Sequence, residues 1–209
     1  MYSLWIANKN YSSWSLRPWL LLKALDVPFK ENQAFFNDGA TSYSQFRQFS
    51  PTGLVPCLID HSTVIWDSLA ICEYIAEDFP NAWPADRVAR AWARSACAEM
   101  HSSFLALRAQ CPMNCNLRTQ ADLTNSSLQQ DLQRLEELWS EGLERFGGPW
   151  LAGKSFSIVD AFFAPVALRI QSYNLPLSEN CYAWYERILH RPATQAWLTA
   201  AAHEPQINH

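Results

Sequence analysis

Residues 50–79, SPTGLVPCLIDHSTVIWDSLAICEYIAEDF, decide the fold because they place two strands and a helix in one short run. The apolar segments PCLID and VIWD are separated only by His61, Ser62 and Thr63, which predicts an antiparallel hairpin. The segment SLAICEYIAEDF then carries apolar residues at the three- and four-residue steps of a helix. A β-hairpin that leads into an amphipathic helix is therefore expected here.

The segments on either side of this run differ in predicted secondary structure: strands and helices alternate before it, and only helices follow it. Upstream, we predict the strand YSLWIA (2–7), a helix over about 15–25, the strand FKENQAFF (29–36) and a helix over about 42–49. Downstream, the strand signal stops and the spacing predicts helices alone, over about 86–107, 125–146, 157–172, 180–190 and 192–202. The chain is therefore divided into an α/β domain (1–79), a linker (80–86) and an all-helical domain (87–209).

Composition narrows the class of partner to small molecules. The 209 residues carry a net charge of −4, which disfavours nucleic acid and anionic membranes as partners. We find neither an apolar run of about eighteen residues nor an export signal, so no membrane association and a cytoplasmic location are expected. The six cysteines lack the spacing of metal ligands, which favours buried, reduced thiols and no metal.

The turn NYSSWSLRPW (10–19) places three serines where the first strand gives way to the first helix. Ser12, Ser13 or Ser15 can cap the helix by accepting from its free N–H groups, and Pro18 is tolerated early in a helix. A cap needs one hydroxyl. The surplus indicates a second role, in which a hydroxyl beside the helix N-terminus stabilises an anion.

Two further motifs predict a site for a peptide-like ligand. Pro56 forces Val55 into an extended conformation, so the Val55 backbone is an edge-strand start or is available to pair with a ligand. Asp67 and Ser68 lie where the next helix begins, and either alone is an ordinary cap. Together they offer an anion for an ammonium group and, with the helix amides, a hydroxyl for a carboxylate.

A basic stripe follows the predicted helix over 86–107. Arg87, Arg94, His101 and Arg108 recur every seven residues, with Arg90 beside them. The stripe is either a solvated face or the lining of a cleft or subunit interface that attracts anionic groups.

These motifs together resemble cytosolic glutathione S-transferases, which join a thioredoxin-like domain to an all-helical one. The resemblance rests on the serine-rich turn, SPTGLVPCLID and DSLAICEYIAE, and on LAGKSFSIVDAFFAPV in the helical half. In that last motif Ser157 and Asp160 predict a capping box. The resemblance implies the glutathione transferase fold, glutathione as co-substrate and a homodimer.

The resemblance also implies roles for the glutathione-binding residues. The Val55–Pro56 bond is expected to be cis, with Val55 paired to the cysteinyl part of glutathione. Asp67 and Ser68 are expected to bind its γ-glutamyl end.

The serine turn is most similar to the SSCSWR-type segment of zeta-class enzymes, in which the first serine faces the glutathione sulfur. Ser12 holds that position, with Ser13 beside it as the alternative, and Ser15 is left to cap or solvate the helix start. Trp14 replaces the zeta-class cysteine, which removes the nucleophile of a cysteine mechanism. The resemblance therefore implies a serine-type transferase, whose hydroxyl stabilises the thiolate.

The second substrate of the family lies between the serine turn and the first helix of the helical domain. This implies that Trp14, Met100, Phe104 and Arg108 line the electrophile pocket, with Arg108 available to hold a carboxylate. Core packing is the alternative for Met100 and Phe104. We expect the enzyme to add the glutathione thiolate to a small hydrophobic electrophile. One alternative is a glutathione-dependent cis–trans isomerase, similar to maleylacetoacetate isomerase. The other is a non-catalytic binding protein with the same fold.

Overall fold

The computed structural model describes residues 1–36 and 41–205, with only the backbone described at residue 41. Residues 37–40 and 206–209 fall inside the two predicted domains but outside the described residues. Four strands form one mixed sheet in the order β2-β1-β3-β4. They are β1 (Tyr2–Ile6), β2 (Phe29–Gln33), β3 (Cys57–Asp60) and β4 (Thr63–Trp66). β1 runs parallel to β2 and antiparallel to β3, and the predicted hairpin joins β3 to β4.

Helices occupy most of the remaining described chain. The first three are α1 (Ser13–Ala24), α2 (Thr41–Phe46) and α3 (Ser68–Asp78), and a 3-10 turn follows at Pro80–Ala82. The later six are α4 (Arg87–Ser102), α5 (Leu105–Gln110), α6 (Ser126–Phe146), α7 (Ile158–Tyr173), α8 (Glu179–Leu189) and α9 (Pro192–Ala202). None of the helices in the described ranges has the length and apolar character needed to cross a membrane. The predicted fold class, a thioredoxin-like α/β domain followed by an all-helical domain, is confirmed, whereas the exact domain limits stay a prediction.

The prediction of one continuous helix over 86–107 is wrong. α4 ends at Ser102, and Phe104 adopts a left-handed conformation (φ 59°, ψ 44°) before α5 begins. Burial of the Phe104 ring accompanies this break, since only 3% of the residue is exposed. The Arg108 side chain donates to the carbonyl oxygens of Met100 and Ser103, which satisfies carbonyls left free where α4 ends.

Helix α7 lies at the centre of the molecule. Nearly all of its side chains are buried, as expected for a helix that is apolar on every face. It packs against both α1 and α4, so it joins the sheet-containing half to the helical half. One continuous hydrophobic cluster extends through both halves as a result.

The start of α7 is fixed by a buried carboxylate. Ser157 and Asp160 form the capping box, in which Asp160 Oδ2 accepts from the Ser157 N–H at 2.9 Å. Asp160 Oδ1 accepts from the Leu151 N–H at 3.0 Å and from the Trp184 indole at 2.8 Å. The carboxylate therefore satisfies donors from three separate segments, which a simple helix cap does not.

We expect Asp160→Ala to destabilise the chain by about 3 kcal/mol or more, because it leaves several buried donors without an acceptor. Ser157→Ala is the matched control and should cost about 1 kcal/mol, the usual loss for a cap. Urea unfolding followed by circular dichroism measures both. Equal losses in the two variants would contradict a bridging role for Asp160.

The same carboxyl should make stability depend on pH. Burial raises the pKa of Asp160 to about 6, so the folded chain retains a proton there that the unfolded chain has released. The stabilisation from this proton is present below the unfolded pKa near 4 and is lost as the pH rises through about 6. The free energy of unfolding of the native chain relative to Asp160→Asn should therefore be larger at pH 4 than at pH 7. A difference that grows with pH would contradict this.

Candidate functional site

The serine turn uses two of its three hydroxyls to build the start of α1. Ser12 is the N-cap, because its Oγ accepts from the Ser15 N–H at 3.4 Å. The Ser12 hydroxyl also donates to Ser15 Oγ at 2.7 Å, and Ser15 Oγ accepts from the Ala7 N–H at 3.3 Å. The expectation that Ser15 caps the helix is wrong, because this side chain is fully buried between the end of β1 and Ser12.

Ser13 differs from both of its neighbouring serines. It is the first residue of α1, and its N–H donates to the Tyr11 carbonyl at 3.0 Å. Its hydroxyl makes no hydrogen bond to any other residue that the structure describes, although the residue is only 6% exposed. A free hydroxyl at a helix N-terminus is suited to donate to an anion.

Distant parts of the chain hold the loop that precedes these serines. The carboxylate of Glu204 accepts from the N–H groups of Lys9 and Asn10 at 2.8 and 3.0 Å. The Trp197 indole donates to the Lys9 carbonyl at 2.8 Å, and the Cys115 N–H donates to the Asn10 carbonyl at 3.1 Å. The helical half therefore positions the serine turn, a connection that periodicity in the sequence does not reveal.

Two adjacent cavities meet at the serine turn. One, of about 410 Å³, is lined among others by Ser12, Ser13, Phe36, Tyr43 and Phe46. The other, of about 400 Å³, is lined among others by Pro56, Trp66, Asp67, Ser68 and His101. The two cavities share Trp14, Leu54 and Val55 as lining residues. A single extended ligand that follows Val55 can therefore reach both groups of polar side chains.

Val55 lines both cavities, and its backbone is accessible to a ligand. The Val55–Pro56 peptide bond is cis. Within the described ranges, no hydrogen bond engages the Val55 backbone N–H or carbonyl, because β3 begins only at Cys57. The preceding Gly53 has a φ of +67°, and a Cβ there would lie 2.5 Å from the Tyr43 ring, so this turn requires glycine.

Asp67 and Ser68 share the start of α3 in different ways. Asp67 is the N-cap, with Oδ1 accepting from the N–H groups of Leu69 and Ala70 at 2.8 and 3.3 Å. The sequence predicted that the amides at the start of α3 help to bind a ligand carboxylate. Fewer of them are available for that than expected, because Asp67 itself accepts from two. Ser68 Oγ is buried against the cavity and has no hydrogen-bond partner among the described residues. A buried hydroxyl of this kind is costly unless a ligand satisfies it.

His101 was not predicted as a site residue, although it belongs to the basic stripe. Its Nε2 lies 3.2 Å from Asp67 Oδ2, and its ring meets the Trp14 ring edge-on at 5.1 Å. Arg94 of the same stripe pairs with Glu73 on α3 at 3.1 Å. The seven-residue spacing therefore marks the face of α4 that contacts α3. His101 is the residue of this face that lines the cavity.

The predicted electrophile residues separate into two groups. Trp14 lines both cavities, and the Arg108 guanidinium stacks on its ring at 4.7 Å. Met100 and Phe104 are 0% and 3% exposed and belong to the hydrophobic core. Core packing is therefore what the structure shows for these two, because the apolar face of α4 packs against α7.

The six cysteines are free and buried. Burial raises the pKa of Cys57 to about 11 and that of Cys115 to about 12. These thiols are protonated at neutral pH, and the cavity linings named above contain none of them.

Comparison with known proteins identifies the family. The model of the glutathione S-transferase N-terminal domain matches residues 11–78, and that of the C-terminal domain matches residues 118–187. The chain belongs to the glutathione S-transferase family. The first matched segment contains SPTGLVPCLID and DSLAICEYIAE, and the second contains LAGKSFSIVDAFFAPV, the motifs on which the resemblance to cytosolic transferases rests.

Individual relatives agree along most of the chain. Glutathione S-transferase GstB of Escherichia coli K12 is 26% identical over 208 residues, covering 93% of this chain and 96% of GstB. A "Probable maleylacetoacetate isomerase" of Caenorhabditis elegans is 27% identical over 187 residues, covering 85% of this chain and 81% of that protein. A crystal structure of a Burkholderia glutathione transferase homologue with bound glutathione superposes with a TM-score of 0.72 and 21% identity, covering 97% of this chain and 99% of that one.

Proposed function

We propose that this family member is a glutathione transferase and that one glutathione molecule spans both cavities. The observation that carries the proposal is the Val55 backbone, which no described residue engages and which lies where the two cavities meet. The hydroxyls of Ser13 and Ser68, each without a partner among the described residues, line one cavity each. The cysteinyl backbone of glutathione pairs with Val55 as an added strand. The γ-glutamyl end extends toward Asp67 and Ser68, and the sulfur toward the serine turn.

The γ-glutamyl end is an amino-acid zwitterion, and the groups at α3 match its two charges. The helix cap uses only Oδ1 of Asp67, so Oδ2, which also faces His101 Nε2 at 3.2 Å, can accept from the ammonium group. Ser68 Oγ has no partner in the described chain and donates to the carboxylate.

At the sulfur end we propose Ser13 as the hydrogen-bond donor. Ser12, the residue that the zeta-like turn implies for this role, is engaged with Ser15. A free thiol has a pKa of about 8.5, and a donated hydroxyl together with the N-terminus of α1 lowers it toward neutrality. Glutathione is the nucleophile, so the protein contributes thiolate stabilisation and proximity to the electrophile.

The electrophile is proposed to be small and hydrophobic. Large apolar side chains surround the cavities and are partly exposed, with 64% of Leu54, 46% of Trp66 and 57% of Tyr43 accessible. Together with Trp14 they form an apolar surface beside the proposed thiolate. Arg108 is committed to the end of α4, which leaves it less suited to hold a substrate carboxylate.

A second candidate is a glutathione-dependent cis–trans isomerase. The similarity to the C. elegans protein and the zeta-like turn favour it. In that reaction the thiolate adds to the substrate and leaves again, so glutathione is not consumed. Turnover of maleylacetoacetate at catalytic glutathione concentrations separates it from conjugation. The homodimer implied by the family resemblance and the cytoplasmic location expected from the sequence both stay predictions.

Calorimetry tests the proposed binding mode. Glutathione should release heat on binding and raise the melting temperature. Asp67→Asn keeps an oxygen for the helix cap and removes only the charge, so it should weaken glutathione binding about tenfold. Glutaryl-cysteinyl-glycine, which lacks the ammonium group, is the control and should bind the native chain and the variant equally. Absence of any heat from glutathione would contradict the function itself.

Paired serine variants test the assignment at the sulfur. Ser13→Ala should raise the pKa of the bound thiol and slow conjugation about tenfold below that pKa, with little change in glutathione affinity. Ser12→Ala should instead cost about 1 kcal/mol of stability through loss of the cap and leave the thiol pKa unchanged. The reverse pattern would assign the sulfur to Ser12.

A further inference from the structure

Arg17 is a charged residue buried without a polar partner. It is 0% exposed, and its three guanidinium nitrogens make no hydrogen bond within the described part of the chain. Its guanidinium carbon lies 4.2 Å from the centre of the Trp14 ring and 4.7 Å from that of Phe162 on α7. Two aromatic faces therefore hold the cation while its N–H groups stay unsatisfied.

The groups that face Arg17 do not neutralise it. Arg108 on α5 and Arg169 on α7 are also cationic and disfavour its charge. Cys72 on α3 and Cys97 on α4 face it as well, but burial raises the pKa of both thiols, so they are neutral. Burial lowers the pKa of Arg17 to about 9, which leaves it positive at neutral pH. An uncompensated positive charge therefore lies inside the protein.

This charge lies directly behind the wall of the proposed glutathione site. Arg17 is one helical turn from Ser13, on the same face of α1. The ring that it stacks on, Trp14, lines both cavities. A charge in a buried, weakly polarisable environment acts over a longer range than one in water.

We propose that Arg17 is a positioning residue for the reaction: from behind Trp14, its uncompensated charge stabilises the thiolate of glutathione held at Ser13. The inference rests on the proposed function. This role for Arg17 explains why the chain retains a buried cation that no described residue pairs with, although such a cation opposes folding.

A structural role and an electrostatic role predict opposite effects on stability. If Arg17 were there to hold the fold, its replacement by an apolar side chain of similar length would destabilise the protein. If it serves the thiolate, Arg17→Met removes an unpaired buried charge and should keep or raise the melting temperature while impairing the chemistry.

The test is a pH titration of the thiolate absorbance of glutathione bound to the full chain, together with conjugation rates. Arg17→Met should raise the pKa of the bound thiol by about one unit and lower the rate about tenfold at pH values below it. At pH values above both thiol pKa values the rates should converge.

Arg169→Met is the matched control, because Arg169 is also buried but lies on α7 and donates through Nε to the Cys111 carbonyl at 2.9 Å, whereas Arg17 stacks on Trp14. It should shift the thiol pKa by much less than Arg17→Met. An unchanged thiol pKa in Arg17→Met, an equal shift in Arg169→Met or unfolding of Arg17→Met would each overturn the proposal. A native chain that does not bind glutathione would instead overturn the proposed function.

Discussion

The packing of α1 against α7 is the contact on which the rest of the structure depends. α7 is buried on all sides and reaches both halves of the molecule, so it fixes where the N-terminus of α1 lies. That N-terminus carries the free hydroxyl of Ser13, and one turn later Arg17 contacts Phe162 of α7. The same contact thus supports the core and places a buried charge beside the cavities. Asp160, at the start of α7, ties this arrangement to the Leu151 segment and to α8.

The site is defined by which polar groups the fold leaves unused. Ser12, Ser15 and Asp67 Oδ1 are engaged in holding helix starts. Ser13, Ser68 and the Val55 backbone are not engaged by the described residues, and all three face the two joined cavities. Because an unsatisfied buried group such as the Ser68 hydroxyl costs stability, it marks a place where a ligand completes the structure.

Sequence patterns predicted the strands and most of the helices, since these depend on local spacing. The hairpin, the helices and the adjacency of Asp67 and Ser68 follow from residues close together in the chain. The break at Phe104 was missed because the apolar spacing continues through Leu107, and only the backbone conformation reveals it. The hydrogen bond that the Lys9 N–H donates to Glu204 joins residues 195 apart, and no periodicity encodes such a partner. Likewise, local spacing does not decide whether Ser12 or Ser13 caps α1. That choice depends on the position of the end of β1, where Ala7 donates to Ser15 and Ser15 in turn accepts from Ser12.

A crystal structure of the chain with glutathione tests the central claim most directly, because it locates both ends of the ligand at once. The account predicts the sulfur within hydrogen-bonding distance of Ser13 Oγ, the cysteinyl backbone paired with Val55, and the γ-glutamyl group between Asp67 and Ser68. Glutathione bound outside the two cavities, or bound with its sulfur directed away from the serine turn, would contradict it.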